Sequence, residues 1–121
     1  MRDWRKLDAF RIADELAIAV LTAMKEMPRD QRYVLTNQIE RSALSVPSNI
    51  VEGCARHSEA EYLRFLDIAY GSACELQYHL SVAARLSYLS RERYDELQDL
   101  AGRAAKTLNR LIRALRARPE A

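Results

Sequence analysis

Residues 41–53 read RSALSVPSNIVEG, a run with helical spacing that carries a proline at its centre. Ala43, Val46 and Ile50 recur at three and four and make one apolar row. Arg41, Ser45, Asn49 and Glu52 step by four, four and three and form a polar ladder beside it. Inside a helix Pro47 removes the bond its amide would give to the Ala43 carbonyl, and its ring presses on that carbonyl, at a cost of about 3 kcal/mol. Ser45 and Asn49 are placed to bond freed backbone groups. The expectation is one helix bent at Pro47, with a break into two shorter helices as the alternative.

The same spacing extends outward. This second helix carries Leu35, Ile39, Ala43, Val46 and Ile50 inward, is opened by Pro28 with Asp30, and ends at Gly53 as a left-handed cap. Before it, Phe10, Ala13, Ala17, Val20, Met24 and Met27 predict a helix from about Lys6 to Met27. Ile12, Leu16, Ile18, Ala19, Leu21 and Ala23 leave that helix almost no polar side, and self-association is the natural inference. Ser58 and Glu61 form a capping box that opens a third helix, whose stripe from Tyr62 to Leu86 runs on to about Leu89. Ser90 caps a fourth helix, lined by Tyr94, Leu97, Ala101, Ala104, Leu108, Leu111, Ile112 and Leu115. Four helices with short connections predict an all-α, antiparallel up-down-up-down four-helix bundle, one domain over residues 1–121.

Composition agrees. The 121 residues hold 3 Gly and 3 Pro and are too few for two comfortable cores. The longest apolar stretch, Leu16 to Met24, is far below the roughly 18–20 residues a membrane span needs. Cys54 and Cys74 sit in a chain that opens without a signal-peptide pattern, so a cytoplasmic location without a disulfide framework is expected.

The third helix supplies a neighbour for the polar ladder in Gly71, Ser72 and Glu75. A glycine in a helix interior costs about 1 kcal/mol against alanine, which suggests close approach by another helix. Glu75, flanked by Cys74 and Leu76, reads as half-buried and in need of a cation, with Arg41 the candidate. The bland alternative is that these are ordinary polar residues on solvated faces.

Other chemistry is thin. Cys54, His57 and Glu61 have helical spacing, but Gly53 and Ser58 interrupt it and no second ligand pair exists, so no metal and no cofactor is expected. Cys74 reads as a small core residue, and His79, four residues after Glu75, as a core-edge histidine. An enzyme centred on Glu75 is the outlying reading, because structural networks perturb carboxylates too. No catalytic residue is assigned.

Net charge is only +2, yet from Leu100 onward six bases face the single acid Glu120. Arg103, Lys106, Arg110 and Arg113 step along one face of the fourth helix, with Arg116 a short turn beyond, a row suited to successive phosphates. The competing explanation is that the helix complements its own dipole, with Glu92, Asp95, Glu96 and Asp99 at its start and bases at its end.

The segments SVPSNIVEG (Ser45 to Gly53) and GSACEL (Gly71 to Leu76) together resemble the hallmarks of the S23 family, four-helix-bundle proteins named after intervening sequences of 23S ribosomal RNA genes. Leu35, Gln38, Ile39, Arg41 and Ser42 support the first segment, and Glu61, Phe65, Leu66 and Ala69 the second. Val51 departs from the alanine expected there. The resemblance spans about Leu7 to Leu115 and implies a left-handed bundle, a homopentamer around a central channel and no established enzymatic activity. A related branch, the accessory proteins of diversity-generating retroelements, is thought to bind nucleic acid and a reverse transcriptase through basic surfaces. The expected function is a non-enzymatic homo-oligomer that binds RNA, DNA or a partner protein, such as a nucleic-acid enzyme, through the basic fourth helix, with no role at membranes. The alternative is a structural scaffold without nucleic-acid affinity, its polar ladder setting helix packing.

Overall fold

A computed structural model describes residues 2–27 and 33–119. A 3-10 turn, Trp4–Lys6, precedes four helices: α1 (Asp8–Met24), α2 (Tyr33–Cys54), α3 (Glu59–Arg85) and α4 (Arg91–Arg116). No strand occurs among the described residues. Helix α1 packs on α2 and α4, and α3 on α2 and α4, so α1 and α3 occupy diagonal corners of the bundle.

The core forms two clusters stacked along the bundle. One gathers Leu16, Val20, Met24, Ile39, Leu76, Leu80 and Leu97, and the other Val46, Ile50, Tyr62, Leu66, Leu108 and Ile112. Each helix contributes residues three and four apart, so the periodicity of the sequence becomes burial directly. Leu and Ile side chains buried to this degree contribute about 1.5–3 kcal/mol each.

The first helix starts later than its spacing predicts. Leu7 takes an extended backbone, and the preceding turn is capped by the Asp3 carboxylate, which accepts from the Arg5 amide at 3.1 Å. The guanidinium of Arg5 beside it holds the Asp3 carboxyl below its usual range. This folds Trp4 back onto Phe10, with ring centroids 4.6 Å apart. At the other end Lys25, Glu26 and Met27 donate to carbonyls three residues back, tightening the last turn. The expected opening of α2 at Pro28 and Asp30 lies outside the described residues.

Pro47 is buried within an unbroken α2, so the one-helix expectation holds and the two-helix alternative does not. Gly53 is not a left-handed cap. It lies inside α2, buried, and no described glycine has a positive φ. A Cβ at Gly53 would stand 2.9 Å from the Cβ of Phe65 and 3.3 Å from the Tyr62 carbonyl oxygen. Close approach of α2 to the start of α3 is what excludes a side chain there.

Ser58 caps α3 as expected, accepting from the Glu61 amide at 3.1 Å, while its hydroxyl lies 3.5 Å from the Glu61 carboxylate. The box is therefore closed between side chains and not by the Ser58 amide. Helix α3 stops at Arg85, short of the predicted Leu89, because Ser87 enters the left-handed region at φ 62°. Ser87 then donates to the Ala84 carbonyl and Tyr88 to the Ala83 carbonyl, the paired bonds of a Schellman turn made with serine where glycine is usual. Ser90 opens α4 by accepting from the Arg93 amide at 3.1 Å.

Candidate functional site

Two surfaces deserve the name of candidate site: the polar seam between α2 and α3, and the outer row of α4. At the seam, Arg41 donates from Nη2 to Glu75 Oε2 at 2.6 Å and is steadied by the Gln38 side-chain oxygen at 2.8 Å. One turn along, the Asn49 side-chain amide donates to both the carbonyl and the hydroxyl of Ser45 at 2.8 Å. The Ser45 hydroxyl, having accepted from Asn49, has its proton free for the Ser72 hydroxyl 2.8 Å away on α3. Ser45 therefore ties the two helices together and does not bond the carbonyl of Ala43 freed by Pro47. Ser42, also buried, bonds the Gln38 carbonyl at 2.8 Å.

Glu52, the last rung, does not cross to α3. It pairs with Arg56 at 2.6 Å, and that guanidinium lies 4.7 Å over the Phe65 ring. Arg56 and Gln38 complete the seam, and spacing alone does not single them out: Gln38 acts through Arg41, and Arg56 lies beyond the helix end. The side chain of Glu75 is 39% exposed, so the pair with Arg41 is partly screened by water. His79 sits at the core edge with Nε2 3.9 Å from Glu75 and with a buried Nδ1 that has no hydrogen-bond partner among the described residues.

Two residues stand elsewhere than expected. Gly71 is exposed, and a Cβ there would meet nothing within 4 Å, so the close approach inside the protomer belongs to Gly53. Cys74 is exposed and not a core residue: the interior-facing row of α3 runs through Ser72, Ala73 and Leu76 and leaves position 74 on the outside. Its hydrogen bond to Tyr70 pushes the phenol up. Cys54 is the buried thiol, pushed up by desolvation and hydrogen-bonded to Tyr62, whose own pKa burial raises to about 12. Among the described residues no three His, Cys, Asp or Glu side chains gather to hold a metal ion, and no helix is long and apolar enough to cross a membrane.

The second surface is electrostatic. Arg103, Lys106, Arg110, Arg113 and Arg116 are all exposed on α4. Arg116 pairs with Asp67 of α3, and Arg118 beyond it with Glu59. The remaining four have no ion pair among the described residues, whereas at the other end of the helix Arg91 pairs with Asp95 and Arg93 with both Glu26 and Glu96. From Arg103 to Arg113 the row spans about 15 Å at roughly 1.5 Å per residue. Dipole complementation acts within the last turn, which contains Arg113 and Arg116. Arg103 and Lys106 lie too far inside the helix for that explanation.

The profile of the family described as 23S rRNA-intervening sequence protein matches residues 5–110. A crystal structure from Bacteroides thetaiotaomicron, of a protein with unknown function from the S23 ribosomal protein family, superposes with a TM-score of 0.81 at 28% identity, covering 86% of this chain and 97% of that one. No curated protein matches the sequence.

Proposed function

The chain belongs to the 23S rRNA-intervening sequence protein family, and from that premise we propose that it is a non-enzymatic binding module, a homopentamer that holds nucleic acid against the outer row of α4. The observation that carries the reading is the stretch from Arg103 to Arg113, whose four bases are exposed and lack ion pairs among the described residues. Unneutralised bases in a row attract phosphates and release their counterions. Among the described residues no groove-reading or base-stacking element accompanies the row, so contacts run to the backbone and sequence preference is weak.

On this reading the polar seam is structural. Its hydrogen bonds set how α2 lies on α3, and Glu75 spends its charge on Arg41. A cytoplasmic location agrees with the two free thiols, which an oxidising compartment would threaten. The second reading, a scaffold without nucleic-acid affinity, is favoured by the placement of Glu92 in the first turn of α4 and of Arg113 and Arg116 in the last. Titrating the purified, nuclease-treated protein into structured RNA, single-stranded RNA and duplex DNA across a salt series separates the two. Salt-sensitive binding supports the first reading, and absence of binding to all three supports the second.

A further inference from the structure

We infer that a second copy of this chain lays the outer face of its α1 on the outer face of α3, with Ile18 of one copy seated over Gly71 of the next. The inference deepens the homo-oligomer reading and rests on it.

Gly71 is the starting point. It sits in the interior of a 27-residue helix, where glycine is a poor choice, and no described residue of its own protomer occupies the space a side chain would fill. Gly53 shows the contrast, since there a Cβ would strike α3. The steric reason for Gly71 is therefore sought outside the protomer. Around it the outer side of α3 leaves large apolar groups in water, with Tyr78 63% and Ile68 40% exposed. On α1, Ile18 is 60% exposed, beside the half-buried Leu21.

Charge agrees with the pairing. Asp14 and Glu15, one turn before Ile18, are exposed and have no ion pair among the described residues. Arg64, two turns before Gly71, is exposed and lacks one as well, while the neighbouring acid Asp67 is taken by Arg116. In an up-down bundle α1 and α3 run the same way, so between copies that share one orientation Arg64 falls on the side of Gly71 that matches Asp14 and Glu15. Helices α1 and α3 stand at diagonal corners, which puts the two faces on opposite sides of the protomer. Two different faces on opposite sides are what a head-to-tail contact uses, and such contacts close into a ring where the rotation from copy to copy closes. Every α4 would then lie on one side of the ring wall, and the basic row would repeat along a single surface.

The test is the solution mass, by light scattering, of the wild type, Ile18→Glu and Gly71→Gln. Both positions are exposed, and circular dichroism checks that both variants stay helical. The wild type is expected as a multimer and each variant as a monomer of about 13.9 kDa. Mixed in equal amounts, the variants are expected to form a dimer and nothing larger, because each retains one intact face. A monomeric wild type would overturn the homo-oligomer reading itself. A multimeric wild type whose mass either variant leaves unchanged, or a mixture that stays monomeric, would overturn only the docking of α1 on α3.

Discussion

Arg41 on α2 and Glu75 on α3, thirty-four residues apart in sequence, meet at 2.6 Å, and the hydroxyls of Ser45 and Ser72 meet at 2.8 Å one turn further along the same seam. The register of α2 against α3 is fixed by these two pairs and by Asn49, which holds Ser45 from behind. Because the ion pair is partly solvated and the amide is half-buried, the two should differ in weight. Asn49→Ala is expected to cost about 1–2 kcal/mol through two lost hydrogen bonds, and Glu75→Ala about 0.5–1 kcal/mol. Arg113→Ala should stay within roughly 0.5 kcal/mol. Urea midpoints at equal protein concentration check the order, and equal small shifts for all three would mean that the seam does not hold α2 on α3.

Gly53→Ala should destabilise by about 1–3 kcal/mol, although alanine is the better helix former, because its Cβ would press on Phe65 and on the Tyr62 carbonyl. Thermal melts decide it. A raised melting temperature would show that α2 and α3 can part at little cost.

Ser87→Gly is expected to stabilise by about 0.5–1 kcal/mol, since glycine adopts the left-handed backbone of that turn without the strain a side chain brings. Denaturant unfolding would show it as a higher midpoint with an unchanged slope.

How much of this was legible differs from element to element. The positions of the four helices follow from apolar spacing, and both serine caps of α3 and α4 were visible as residue types at fixed offsets. The pairing of Arg41 with Glu75 could be reasoned from a half-buried acid that needs a cation. The two glycines could not be sorted, because whether a Cβ fits depends on the distance between helices and not on the local sequence: Gly53 looks like a helix end and is a contact, while Gly71 looks like a contact and faces open space. The end of α3 was hidden for a related reason, as Ser87 takes a conformation that serine rarely adopts. Cys74 faces outward, and a cysteine between Ala73 and Glu75 carries no sign in the sequence of which side it faces. For the basic row, spacing gave the face, but only the ion-pair pattern separated Arg116 from the four bases before it.

Burial raises the Tyr62 phenol to about 12, above its ordinary value near 10. The neutral form is thus favoured in the folded state, and the stabilisation is full below the unfolded pKa near 10 and is lost as pH rises through about 12. Stability followed from pH 9 upward should fall across that window, and Tyr62→Phe should flatten the fall. In the monomeric Ile18→Glu variant, whose outer α3 face is uncovered, a thiol reagent should modify Cys74 readily and Cys54 only after unfolding, because Cys54 is 1% exposed. Equal rates at both thiols would contradict the buried Cys54–Tyr62 contact.

The most direct test of the central claim is the salt slope of nucleic-acid binding in the wild type and in the Arg110→Glu, Arg113→Glu double variant. Each phosphate contact contributes a slope of about 0.9 for duplex DNA and about 0.7 for single strands. The account predicts measurable, salt-sensitive binding by the wild type and, in the variant, weaker binding with a slope lower by about 1.4–1.8, at unchanged helicity. Binding that is absent in the wild type, or that keeps its slope in the variant, would contradict it and leave the outer row of α4 without a ligand.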